Sequence, residues 1–202
     1  MAGTTLRERN KGDKLRRITA AARTLFARQG FDATSTRDIA AHAGVALATL
    51  FLYASDKRDL LFLACNDDLE ALTHRAFGDV AAGAPIREQI VAAFAHFFSF
   101  YARDRRLSRD LLRELTFFTS GQHSARFQAT RQMTIAAVET LIVGARERGM
   151  LRSAATDAEI ARVIFYVFAA EVRHWLAQDD QTPQDGVERF GRLLDVIIAG
   201  LE

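Results

Sequence analysis

One cysteine (Cys65), two prolines (Pro85 and Pro183) and one tryptophan are all that this chain of 202 residues has of those types. A lone cysteine cannot close an internal disulfide, so the fold must stand on its core, and the reducing cytoplasm is the expected compartment. With so few prolines, long helical stretches can run unbroken. The longest uninterrupted apolar run, Val163 to Ala170, has eight residues. A bilayer-spanning helix needs roughly 20, so no membrane partner is expected. No charged-then-apolar stretch opens the chain, so no secretory leader is expected either. The motifs of common catalytic sites are missing too: no GxSxG, no GxxxxGK and no HExxH occurs. His42, His74, His96, His123 and His174 make no pair at metal-ligand spacing, and Cys65 lies nine residues from His74. The chain is therefore expected to be no enzyme and to carry no metal and no cofactor.

Apolar residues make up 49% of the chain and charged residues 26%, the balance of a folded globular protein. Alanine (35) and leucine (21) dominate, and both favour helix, so the expected fold class is all-α. The net charge of +2 hides a split. Residues 1–58 hold 11 Lys and Arg against 5 Asp and Glu, whereas residues 59–202 hold 16 against 20. A basic first quarter fits either a nucleic-acid-binding module or a solvated basic surface with no partner.

Apolar spacing lays out the helices. Residues 1–10 show no period and read as an arm. From Lys11, Leu15, Ile18, Ala22, Leu25 and Phe26 form one stripe that stops at Gly30. Ser35 and Asp38 make a capping box before a short helix ending at Gly44, and a second short helix follows over Ala46–Tyr53. Ser55 or Asp56 caps a longer helix carrying Leu61, Cys65, Leu69, Leu72, Ala76 and Val80. Further helices are expected over 85–103, with Pro85 in its first turn, and over 107–119, 123–148, 157–177 and 183–201. The last two open on Thr156/Glu159 and Thr182-Pro183.

The spacing within 35–53 is restrictive. Ala40 is small where two helices would cross, Gly44 sits at the turn, and Val45 and Leu50 follow where apolar residues would lock the second helix over the first. That pattern fits a helix-turn-helix, or an ordinary helical hairpin. The stretch from Ile18 to Leu61 resembles the N-terminal domain of TetR-type transcriptional regulators. The likeness rests on Ala-Ala before Leu25-Phe26, Gly30, Thr34-Ser35, Asp38-Ile39-Ala40, Ala43-Gly44-Val45, Thr49-Leu50, Tyr53 and Lys57. The resemblance implies a three-helix DNA-binding domain over 1–56, a helical ligand-binding and dimerisation domain over 57–202, and about nine helices in all. It also implies a homodimer on a double-stranded operator and a small-molecule effector.

Residue by residue, the resemblance places Thr36 and Arg37 against phosphate and a base edge. It places Ala46, Leu47, Ala48, Thr49, Phe51 and Tyr53 in or beside the major groove, and Lys57 on the DNA backbone. Where many members carry Ser-Lys/Arg-Gly/Ala-Thr-Leu-Tyr, this chain has Ala46-Leu47-Ala48-Thr49-Leu50-Phe51. So donor-poor a helix can still read thymine methyls.

Ten of fifteen phenylalanines fall from Phe94 onward. Phe94, Phe98, Tyr101, Phe118, Phe127 and Met133 are the candidate lining of an effector cavity, taking a largely hydrophobic or aromatic molecule with little salt dependence. Helix 157–177 is apolar nearly all round over 163–170, and helix 183–201 carries a stripe ending at Leu201. Val163, Val167, Phe190, Leu194, Ile197 and Leu201 are the expected dimer face. A helix-turn-helix regulator governed by a protein partner, with no small ligand, is the rival reading.

Overall fold

The computed structural model describes residues 6–81, 83–115 and 121–201. Among them are nine helices and no strand: α1 Leu6–Gln29, α2 Thr36–His42, α3 Leu47–Leu50, α4 Lys57–Gly78, α5 Ile86–Ala102, α6 Arg105–Glu114, α7 Gln122–Glu147, α8 Asp157–Leu176 and α9 Pro183–Ala199. The all-α expectation holds. No helix among the described residues is long and apolar enough to cross a membrane.

Three capping boxes form, those at Ser35 and Thr156 as expected and a third where only Thr182 with Pro183 was expected to open the helix. The side chains of Ser35, Thr156 and Thr182 accept the backbone N–H of Asp38, Glu159 and Asp185, whose carboxylates accept in return. Asp56, not Ser55, caps α4 by accepting the Asp59 N–H at 2.9 Å. Other boundaries differ from expectation. Helix α1 already runs through residues 6–10, where Leu, Arg and Glu favour helix but no apolar period marks it. Pro85 is the N-cap of α5 rather than a first-turn residue, because its ψ of 143° lies outside the helix. Asp104 caps α6 through the Leu107 N–H at 2.9 Å, so the helix begins earlier than 107. Its expected end at 119 lies outside the described residues.

The chain divides into two compact units. The first comprises residues up to Asp68 together with Arg109–Gln128, and the second Leu69–Ser108 with Ala129 onward. This differs from a cut at residue 56/57 because α4, α6 and α7 each run through both units.

In the first unit, α1 packs on α2 and α2 on α3. Ile18, Ala22 and Phe26 of α1, Ile39 of α2, Leu50 of α3 and Leu60, Leu61 and Phe62 of α4 are fully buried. Arg23 fastens α1 to α4 through the Ala64 carbonyl at 3.1 Å and Asp68 at 2.8 Å.

In the second unit, α5 and α8 both pack on α9. Their shared core is aromatic: Phe94 lies 4.2 Å from Phe168 and 5.2 Å from Phe190, centroid to centroid, and Phe98 meets Trp175 edge-on at 5.4 Å. Burying each such ring contributes roughly 1.5–3 kcal/mol. Gly186 permits the close approach of α9, since a Cβ there would lie 2.5 Å from Phe98. Arg105, at the start of α6, is held against the end of α8. It stacks on Trp175 at 4.3 Å and donates to the Trp175 carbonyl at 3.0 Å, near the end of α8.

Candidate nucleic-acid interface and effector unit

The turn between α2 and α3 is built by backbone chemistry. Gly44 adopts φ +63°, a conformation that costs other residues, and the Val45 N–H returns to the Ala40 carbonyl at 3.0 Å. Arg17 of α1 closes the turn, its Nε donating to the Ala43 carbonyl at 2.8 Å and its Nη2 to that of Gly44 at 2.7 Å. Sequence reasoning missed Arg17, because an arginine on the polar face of a helix has no signature of its partner.

Ala40 is buried at the crossing, as its size predicts. Regular α3 is only four residues, with no side-chain cap at Ala46, but turns continue through Tyr53. Ala46 and Ala48 are exposed, Leu47 and Thr49 half-buried, Phe51 exposed and Leu52 83% exposed. At the start of α2, Thr36 is half-buried and Arg37 is exposed with no ion pair among the described residues. The Tyr53 hydroxyl donates to the Lys11 carbonyl at 3.3 Å.

Lys57 is already engaged within the unit. Its Nζ donates to the Phe31 carbonyl at 2.9 Å and sits 4.3 Å above the Phe31 ring. It thus fastens the segment after α1, a role its sequence position did not suggest.

A second overlooked residue is Asp59, a buried carboxylate. It accepts from the Ser55 N–H at 3.0 Å and from the N–H groups of His123 and Ser124 at 2.8 and 3.3 Å. His123 in turn donates Nε2 to the Tyr53 carbonyl at 2.8 Å, which fixes the proton on that nitrogen because a carbonyl can only accept. The start of α7 is therefore bound to the end of the segment that follows α3. Gly121 is required there: its φ is +98°, and a Cβ would fall 2.6 Å from Asp59 Oδ1.

Residues 18–64 match the model of the bacterial regulatory proteins of the tetR family. The chain carries a tetR-family regulatory domain. Solved structures of TetR regulators share the fold of this chain over 89–93% of its length. A Thermus thermophilus FadR, a TetR-family repressor in complex with lauroyl-CoA, aligns with TM-score 0.71 at 23% identity over 89% of this chain and 92% of its own. A Bacillus subtilis FadR in complex with stearoyl-CoA aligns with TM-score 0.72 at 20% identity over 93% and 99%. A fatty acid metabolism regulator protein of Bacillus subtilis is 22% identical over 96% of this chain and 98% of its own length.

In the second unit, the candidate cavity residues separate. Phe94 and Phe98 are completely buried and Tyr101 nearly so, filling the aromatic core rather than facing open space. Met133 is half-buried on α7. Phe127 belongs to the first unit, where it packs on Phe62 at 5.7 Å, and Phe118 lies outside the described residues. A cleft of the second unit is lined instead by Pro85, Ile86, Arg87, Met150, Arg152 and Asp195, among others, none of them aromatic.

The expected dimer face also needs correction. Phe190 and Leu194 are fully buried in the chain's own core and Leu201 nearly so, because the α9 stripe is what α5 and α8 pack against. Val163 is exposed, and Val167 and Ile197 are half-buried. On α8 and α9 the large apolar side chains that do reach solvent are Val163 and Tyr166, and Leu193 and Val196, the last 74% exposed.

Proposed function

We propose that the chain is a transcriptional repressor that binds a palindromic operator as a homodimer and is released by a largely hydrophobic small molecule. The observation that carries the reading is the solvent-facing surface of Arg37, Ala46, Leu47, Ala48, Thr49, Phe51 and Leu52 on a tetR-family domain. A leucine this exposed at a helix-turn-helix tip suits thymine methyl groups, and Arg37 suits the paired acceptors of guanine. Thr36 donates to phosphate in this reading.

The exposed apolar residues of α8 and α9 form the two-fold contact. Half-sites then lie about 34–36 Å apart on one DNA face. An acyl-chain effector is supported by the lauroyl-CoA and stearoyl-CoA complexes of the similar proteins. Its entry among Phe94, Phe98 and Tyr101 requires that packed core to open. The resulting shift is carried along α4 and α7, which continue into the first unit and end there on Asp59, His123 and Tyr53.

The test is capture of fragments of the source genome on the immobilised protein, followed by footprinting and addition of lauroyl-CoA. A palindromic site protected by the protein and freed by the ligand is expected. Fragments enriched without any shared palindrome would overturn the operator reading, and a complex indifferent to the ligand would overturn the effector class.

A further inference from the structure

We infer that Lys11 and Lys14, in the first turns of α1, form a phosphate clamp that grips the DNA backbone beside the groove read by the α3 segment. The inference rests on the DNA-binding reading above and adds where the charge of that interface sits.

Most of the basic excess of the first unit is already engaged. Arg16 pairs with Asp13 on its own helix, Arg23 with Asp68 at 2.8 Å and Arg58 with Glu114 at 2.6 Å. Arg17 closes the turn after α2, and Lys57 holds the Phe31 carbonyl. Arg9, Lys11, Lys14 and Arg37 are exposed, with no carboxylate within ion-pair distance among the described residues. Three of these four cations fall between Arg9 and Lys14, at the start of α1.

Helical spacing then separates them. Lys11 and Lys14 stand three residues apart on one face, and Ile18, four beyond Lys14, carries that face into the buried core. Arg9 lies two residues before Lys11 and so projects from another side of the helix. Two contacts fix what the lysine face lies beside. The Tyr53 hydroxyl donates to the Lys11 carbonyl at 3.3 Å. Arg17, three residues beyond Lys14, reaches the Ala43 and Gly44 carbonyls. The two lysines thus flank the segment from Gly44 to Tyr53, on which Ala46, Ala48, Phe51 and Leu52 are exposed.

That segment offers phosphate little. Over residues 46–52 only Thr49 has a polar side chain, and it is half-buried. Apolar side chains can read thymine methyls, but the DNA backbone is held chiefly by positive charge. Lysine suits that work, since its ammonium group meets phosphate as a point charge on a flexible stem. Such a grip sets the register of the apolar segment over the bases and carries no sequence preference of its own.

Fluorescence anisotropy of the full chain tests the clamp across a range of salt, on a captured genome fragment and on a random duplex of equal length. The double variant Lys11→Gln/Lys14→Gln should lower the slope of log affinity against log salt by about two units on both duplexes, and each single variant by about one. The thermal midpoint should stay at the wild-type value, since neither side chain has an ion pair to lose. Lys11→Arg/Lys14→Arg should keep the wild-type slope. Arg9→Gln removes the same charge from another side of α1 and should keep it too. A double variant with the wild-type slope, an arginine variant that has lost it, or Arg9→Gln lowering it as far as either lysine would each overturn the inference. Wild-type protein that binds neither duplex would overturn it together with the DNA-binding reading. Slopes that fall as expected while the captured fragment binds no more tightly than the random one support the clamp and sink only the operator reading.

Discussion

Lys57 and Arg37 show how two basic residues of one domain divide their work. Lys57 holds the Phe31 carbonyl and ring, so Lys57→Ala should cost about 1–3 kcal/mol in urea unfolding. If it also reaches the DNA backbone, the slope of binding against salt should fall by about one unit, measured where both proteins are folded. An unchanged slope would leave Lys57 a purely internal clamp. Arg37 is exposed and makes no ion pair among the described residues. Arg37→Ala should leave stability within about 0.5 kcal/mol of wild type and weaken one base preference by about 1–3 kcal/mol. Equal losses on every DNA sequence would remove Arg37 from base reading. The sequence supplied the positions of both residues but not the internal partner of Lys57, which lies 26 residues away across a turn.

At the scale of the helix, the three capping boxes set a pH dependence. Asp38 and Asp185 are held below their ordinary pKa first by the side chains of Ser35 and Thr182 and then by their backbone N–H groups. Glu159 is lowered first by the backbone N–H of Thr156 and then by its hydroxyl. A carboxylate with a depressed folded pKa stabilises above its unfolded value, near 4, and that stabilisation is lost as pH falls through the folded value. Thermal midpoints should therefore drop below about pH 4. The variant Asp38→Asn/Glu159→Gln/Asp185→Asn should start lower at neutral pH and fall less steeply. Parallel curves for the two proteins would show that the boxes do not set the acid limb. These starts were legible because a box is closed within four residues of sequence. The start of α6 was not, since Asp104 as a cap depends on where α5 stops.

For the whole molecule, α9 is divided by function. Phe190 and Leu194 close the chain's own core, while Leu193 and Val196 on the same helix reach solvent. Phe190→Ala should cost about 3–5 kcal/mol of unfolding free energy whatever the protein concentration. Val196→Asp should leave the fold intact and shift light scattering from dimer to monomer, because a charge without a partner would lie twice in a two-fold contact. A Val196→Asp protein that remains dimeric would place the interface elsewhere.

By itself, the sequence determined the helical class, the place of the helix-turn-helix and the capped starts of α2, α8 and α9, because capping, turn glycine and apolar period act over a few residues. The tertiary structure decided which apolar stripe is core and which is free surface. Periodicity reports that a face is apolar, not what covers it, so α9 could not be assigned to one chain or two from its stripe alone. Tertiary structure also decided the roles of Arg17, Asp59 and Gly121, each of which meets a group 26 to 65 residues away. A buried carboxylate's partners, like the room for a glycine, exist only once distant backbone has been brought together.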